Sequence, residues 1–373
     1  MMKKILFITG TRADYGKLKS LISMVNEMTN VDAHLFVTGM HMLSKYGMTA
    51  IEVERGKYSS IYKYINQNSE DSMDVVLAKT IAGLSDYVKE LKPDLILVHG
   101  DRVEALAGAI VGSLNNILVG HIEGGEVSGT IDELIRHSVS KMAHLHFVCN
   151  QSARSRLLQL GEKNESIHVI GSPDLDVMNS DTLPTIEEVK RYYQIPFDDY
   201  GIVMYHPVTT ELAKLPDHVD ALMSAIEKSD RNFVVVYPNN DHGSKVILDG
   251  LLRLEGKSNV RVFPSLRFES FLRLLKNAKC IIGNSSAGVR EAPFYGLPSV
   301  NIGTRQNNRA SSNSIINVSN ESSDVVEAIE KAFNSNFEPV REFGNGNSKE
   351  LFAHAIKSSE FWTTPTQKIF IDR

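Results

Sequence analysis

At 373 residues the chain is too long for one ordinary domain, and two cores are expected. Its 42% hydrophobic and 23% charged residues are those of an ordinary soluble protein, and a net charge of −5 argues against nucleic acid, which usually demands a basic face. No segment reaches the roughly 18 apolar residues of a membrane span, and the apolar run of MMKKILFITG is too short for a signal peptide.

Lys3–Gly10 is a short apolar run bounded by glycine, followed by a helical pattern over Tyr15–Met28 and a strand over Ala33–Thr38. A helix over Asp74–Leu91 leads into strand Leu95–Val98, helix Val103–Leu114, strand Ile117–Gly120, helix Ile131–Met142 and strand Leu145–Cys149. Helix Gln151–Leu160 and strand Ile167–Ile170 close this series. Gly171-Ser172-Pro173 interrupts it, and a helix over Ile186–Tyr193 precedes a restart. Strands are then expected at Ile202–Tyr205, Phe233–Tyr237, Val260–Phe263, Cys280–Ile282 and Ser299–Ile302. Helices fall between them at Val219–Glu227, Ser244–Leu254, Phe268–Leu275 and Ala287–Tyr295, with a last one at Ser322–Phe333. Strands alternating with helices of this length mean α/β architecture with parallel sheets. The expected organisation is two Rossmann-like domains facing a cleft, residues 1–172 and 173–373, with a helical C-terminal tail. Trp362 and Phe370 in that tail are expected to pack, against the first domain if the tail turns back. The two cysteines, Cys149 and Cys280, lie far apart in strand-like runs, so burial in a reducing cytoplasm is expected.

Ligands of open α/β sheets bind beyond the carboxyl ends of the strands. Two strands here end in His99-Gly-Asp-Arg and His121-Ile-Glu-Gly-Gly, placing Asp101, Arg102 and Glu123 at that edge, with Asp132, Arg136 and His137 close behind. Converging carboxylates raise at least one pKa, which suits general acid–base chemistry. Asp101 and Glu123 with His99 and His121 are also candidate metal ligands, although nothing resembles H-E-x-x-H. Asp132 has plainer readings, favouring a helix dipole or forming an i,i+4 pair with Arg136.

Gly10-Thr11-Arg12 at the first strand-to-helix turn is suited to an anion or simply to a tight turn, and lacks the dinucleotide fingerprint. Gly283-Asn284-Ser285-Ser286 resembles a lysine-free phosphate cradle, with Glu291 placed for ribose hydroxyls; the plainer reading is a helix cap. His206, Asn239 and Arg305 follow other strands of the second half and are further candidates for a phosphate group.

GTRADYGKL, HGDRVEALAGA, HIEGGEVSGTIDELIRHSVSK, GSPDLDVM, HPVTTE, PNND, GNSSAGVREAP and GTRQNNR stand in this order along nearly the whole chain. In them the chain resembles the UDP-N-acetylglucosamine 2-epimerase family, and more narrowly its hydrolysing branch that feeds bacterial sialic acid and capsule synthesis. The resemblance implies a glycosyltransferase-B-like fold and conversion of UDP-N-acetylglucosamine and water into UDP and N-acetylmannosamine through a 2-acetamidoglucal. It implies no cofactor and no metal, a cytoplasmic homodimer or homotetramer, and neither nucleic acid nor membrane as a partner. Its catalytic positions match Asp101, Glu123 and Asp132. Its uridine diphosphate positions match Arg12, Arg102, His206, Asn239, Ser285, Ser286, Glu291 and Arg305. The alternatives left open are a non-hydrolysing epimerase, a hydrolysing epimerase of a UDP-2,4-diacetamido-trideoxy sugar for legionaminic acid, a retaining glycosyltransferase and a nucleotide-sugar sensor without turnover.

Overall fold

The computed structural model describes residues 2–372 except 57, 69, 70, 129, 308 and 311. Gly129 and Asn308, members of two of the motifs above, therefore lie outside the described residues. The chain divides into two compact units. One runs through Glu126, resumes over Asp132–Ser180 and takes in the chain from Glu342 onward; the other holds Val127–Ile131 and Asp181–Arg341. Among the described residues no helix is long and apolar enough to cross a membrane.

The first unit contains β1 (Lys3–Thr9), α1 (Arg12–Asn26), β2 (Val31–Val37), α2 (Ala50–Glu54), β3 (Ser60–Lys63), α3 (Met73–Leu91), β4 (Leu95–His99) and α4 (Val103–Leu114). It continues with β5 (Leu118–Ile122), α5 (Ile131–Met142), β6 (Leu145–Val148), α6 (Gln151–Gln159), β7 (Ile167–Val169) and α7 (Asp174–Met178). The strands are all parallel in the order β3-β2-β1-β4-β5-β6-β7. A parallel sheet covered on both faces needs continuous apolar strands, and Ile5–Ile8 and Leu95–Val98 supply them, all buried. The order reverses between β1 and β4, so the loops after those two strands diverge and leave a crevice at the carboxyl edge.

The second unit runs α8 (Ile186–Tyr193), β8 (Gly201–Met204), α9 (Leu215–Lys228), β9 (Phe233–Val236), α10 (Ser244–Leu251), β10 (Val260–Phe263) and α11 (Phe268–Asn277). Then come β11 (Cys280–Gly283), α12 (Glu291–Phe294), β12 (Ser299–Ile302), β13 (Ile315–Val318) and α13 (Ser322–Phe333). Its parallel sheet has the order β10-β9-β8-β11-β12-β13, with the reversal between β8 and β11. α14 (Ser348–Lys357) and α15 (Ser359–Trp362) belong to the first unit, where Phe352, Ile356 and Phe361 join the core of β1, β4 and α1.

Three expectations need correction. β5 extends two residues beyond Gly120, so His121 and Ile122 lie inside the sheet and Glu123 is the first residue past it. The helix expected over Ala287–Tyr295 is a 3-10 turn at Ser286–Gly288 followed by the short α12. Pro293 explains the break: it has no N–H and tolerates only the first turn of a helix. Trp362 packs on the first core, donating from Nε1 to Ile356 O at 2.8 Å, but Phe370 is 82% exposed. Polar anchors hold that end of the chain instead: Lys368 Nζ donates to Lys141 O, Ala143 O and Glu162 Oε2 at 2.9, 2.6 and 2.6 Å.

Candidate functional site

The first unit gathers its acids around one buried arginine. α5 has apolar residues on its inner face, Ile135 and Val139, and the same face carries Arg136 into the interior, where it is fully buried. Nη2 of Arg136 donates to Asp101 Oδ2, and Nη1 lies 3.5 Å from Glu126 O. Burial opposes the guanidinium charge, yet Asp101, Glu126, Glu123 and Asp132 together outweigh it and raise the Arg136 pKa. Asp132 adds to that field from the first turn of the same helix, as an i,i+4 neighbour of Arg136. The side chain of Asp101 is 23% exposed, whereas that of Glu123 is only 4% exposed.

Glu123 takes a backbone conformation rare outside glycine, φ +67°. Such strain persists where the surroundings fix it and clusters at functional positions. Here its N–H donates to Phe147 O at 3.1 Å, and Gly125 follows at φ +76°, where a Cβ would stand 2.3 Å from Ala153 O. Glu123 Oε1 lies 3.2 Å from His99 Nε2, 3.5 Å from Lys17 Nζ and 3.4 Å from the Ser172 hydroxyl.

His121 is no partner of these acids. Its Nε2 faces Gly100 O at 2.8 Å and its Nδ1 faces Ser140 Oγ at 2.9 Å, and burial drives its pKa down to about 3. A neutral ring donating to Gly100 O fixes the loop that presents Asp101. Among the described residues no group of three or more histidine, cysteine or acidic side chains is arranged to hold a metal ion.

The two arginines at the β1–β4 crevice are already engaged by acids. Thr11 caps α1 through a capping box with Asp14, and Arg12 Nη2 pairs with Glu52 Oε1 at 2.8 Å. Arg102 stands at the N-cap position of α4 without a side-chain capping bond, and its Nε lies 3.3 Å from Glu104 Oε2.

In the second unit the reversal between β8 and β11 is bridged by Asn284. Its side chain accepts from His206 N at 2.7 Å and donates to His206 O at 2.9 Å, locking the loops after the two strands together. Gly283 makes this possible: at φ +129° its Cβ would stand 2.0 Å from Met204 O. Asn239 N donates to His206 Nδ1 at 3.0 Å. Nδ1 is therefore the acceptor, and the neutral ring carries its proton on Nε2. Ser285 caps the 3-10 turn by accepting from Ala287 N at 3.3 Å, and Ser286 follows it half-buried. Arg305 Nη1 and Gln306 Nε2 both approach Asn284 O, at 3.3 and 3.0 Å. Glu291 begins α12 and is buried, and the Asn239 amide is turned to Asp241 Oδ2 at 2.5 Å.

The structure thus ties Asp101 to Arg136 and sets Glu123 and Asp132 within the field of the same arginine, with Arg12 and Arg102 at the reversal of the same sheet. It brings His206, Asn239, Ser285 and Arg305 together at the reversal of the other. Sequence reasoning missed Lys17, which sits against Glu123, Asp174, which sits against Lys17, and the bridging part of Asn284. All three stood inside quoted motifs, but spacing says nothing about contacts between segments so far apart.

The UDP-N-acetylglucosamine 2-epimerase family model matches residues 23–357. The chain is 50% identical to the UDP-N-acetylglucosamine 2-epimerase of Neisseria meningitidis serogroup B, over 100% of this chain and 99% of the relative. It is 32% identical to a UDP-N,N'-diacetylbacillosamine 2-epimerase (hydrolyzing) of Legionella pneumophila, over 96% of each. Among solved structures, Methanocaldococcus jannaschii UDP-GlcNAc 2-epimerase in complex with UDP-GlcNAc and UDP superposes with a TM-score of 0.78, at 21% identity, over 95% of this chain and 99% of that one. That likeness shows the fold, the glycosyltransferase-B-like class with two parallel-sheet α/β domains.

Proposed function

This chain belongs to the UDP-N-acetylglucosamine 2-epimerase family, and from that premise we propose that it is a hydrolysing member, releasing UDP and N-acetylmannosamine from UDP-N-acetylglucosamine and water. One observation supports the reading: Asp101 and Glu123 follow the adjacent strands β4 and β5 at the carboxyl edge of the first sheet, and His206 and Ser285 follow β8 and β11 at the order reversal of the second, where the phosphates are proposed to sit.

A proton on carbon 2 has no adjacent carbonyl and is very weakly acidic, so loss of UDP from carbon 1 accompanies or precedes its removal. Charge then grows on the β-phosphate. His206, with its proton on Nε2, Ser285, Ser286 and the arginines Arg12, Arg102 and Arg305 are assigned to that charge. Glu291 is assigned to the ribose hydroxyls and Asn239 to the nucleotide side. Of Asp101, Glu123 and Asp132, one takes the carbon-2 proton and another serves the addition of water to the 2-acetamidoglucal. N-acetylmannosamine is the product that supply of a sialic acid pathway requires. A homodimer or homotetramer belongs to the same proposal and is read by analytical ultracentrifugation.

Product analysis tests it. Free N-acetylmannosamine and UDP in equal amounts support hydrolysis; UDP-N-acetylmannosamine as the product overturns it in favour of the non-hydrolysing reaction. The Legionella relative's printed activity favours a second reading, with UDP-N,N'-diacetylbacillosamine as substrate. A higher kcat/KM for that sugar than for UDP-N-acetylglucosamine replaces the first assignment.

A further inference from the structure

Asp174 has no part in the reaction as assigned above, yet it is 1% exposed at the start of α7. Neither of its carboxylate oxygens accepts a hydrogen bond from a described residue. A buried carboxylate kept for structure alone is ordinarily satisfied by hydrogen bonds. What faces it is a cation: Lys17 Nζ, from the second turn of α1, stands 3.5 Å from Asp174 Oδ2 and 3.5 Å from Glu123 Oε1. Lys17 is itself buried, its side chain 9% exposed. One ammonium thus stands equally far from the acid at the end of β5 and from Asp174, which among the described residues pairs with no other cation.

We propose that Asp174 is a positioning residue for Glu123, acting through Lys17: it holds the ammonium between two carboxylates and sets how strongly Glu123 is held in its ionised form. The proposal rests on the reading of Glu123 as a proton-transfer group. An opposite charge within about 4–6 Å holds a carboxylate ionised, and a carboxylate held too firmly is a poor proton carrier at neutral pH. Asp174 draws off part of the Lys17 field. Also facing Glu123 are His99 from β4 at 3.2 Å and the Ser172 hydroxyl at 3.4 Å, and it acts on Arg136 from α5, whose charge also meets Asp101, Glu126 and Asp132. The direction is the same whether Glu123 works as base or acid. Removing Asp174 strengthens the hold of Lys17 and moves the Glu123 titration to lower pH; removing Lys17 moves it to higher pH.

The test uses full-length Asp174→Asn, Asp174→Glu and Lys17→Gln with two readouts. One is the pH profile of UDP release from UDP-N-acetylglucosamine. The other, independent of turnover, is the NMR titration of the Glu123 carboxyl carbon in selectively labelled protein, assigned with Glu123→Gln. The expected result is a midpoint lower by about one pH unit in Asp174→Asn, with the same limb of the rate profile displaced and KM little changed. Lys17→Gln moves it the opposite way, and Asp174→Glu restores it. A Glu123 midpoint that stays put in Asp174→Asn and Lys17→Gln, whatever happens to stability, overturns the proposal. If the wild-type protein releases no UDP, the functional reading fails by itself, and the carboxyl titration still decides whether Asp174 governs Glu123.

Discussion

Arg136→Met is the sharpest probe of the acid cluster. The side chain is fully buried, and Asp101, Glu126, Glu123 and Asp132 all act on its charge. Methionine keeps much of the volume and removes the cation, so the effect is electrostatic rather than a cavity. Removing one partner of a buried pair costs about 3–5 kcal/mol because the other charge is left uncompensated. Asp101 keeps some exposure and can turn to water, which places the expected cost near the lower end, about 3 kcal/mol. For a unit of this size that lowers Tm by roughly 6–12 °C. The assay is calorimetry at pH 7.5 and pH 4.5, with UDP affinity measured alongside. Protonation neutralises stranded carboxylates, so the loss should shrink at the lower pH, while UDP affinity changes little. A Tm loss under about 2 °C, or an equal loss at both pH values, refutes the reasoning.

Asn284→Ala removes both side-chain bonds to the His206 backbone and leaves a buried N–H and C=O without them. The expected cost is about 2–3 kcal/mol with weaker UDP binding, both readable by urea titration and calorimetry; undiminished UDP affinity would detach the bridge from the cradle. Burial works against the charge of Glu162, but its bonds to His146 and Lys368 win and bring its pKa down to about 2, against 4.5 for a free glutamate. The folded value lies below the unfolded one, so this stabilisation, at most about 3 kcal/mol, is complete above pH 4.5 and is lost as pH falls towards 2. His121, with its pKa lowered from 6.5 to about 3, has the same sign and erodes stability from pH 6.5 downward. Urea midpoints measured from pH 7 to pH 3 should therefore fall steadily, and in Lys368→Met the part of the fall below pH 4.5 should flatten.

The alternation of strands and helices was legible because burial writes it into the residues. Val103–Leu114, Ile131–Met142 and Ile186–Tyr193 have the bounds that their apolar spacing predicts. β3 and β13 were invisible because they are sheet edges: their residues are half-buried or exposed, with no continuous apolar run to mark them. α14 hides in a polar stretch, its inner face reduced to Phe352, Ala353, Ala355 and Ile356. The acids at strand ends could be picked out because glycines follow or precede them at a carboxyl edge. Their grouping could not, since it depends on Arg136 pointing inward from α5. The shared ammonium was beyond reach for the same reason, with Lys17 and Asp174 brought together only by the packing of α1 and α7.

The central claim is elimination followed by hydration of a UDP-sugar. Incubation of the protein with UDP-N-acetylglucosamine in deuterated water, followed by proton NMR, tests it most directly. The account predicts free UDP together with N-acetylmannosamine carrying deuterium at carbon 2. N-acetylmannosamine that retains its original proton at carbon 2, or recovery of nucleotide sugar alone, would contradict it.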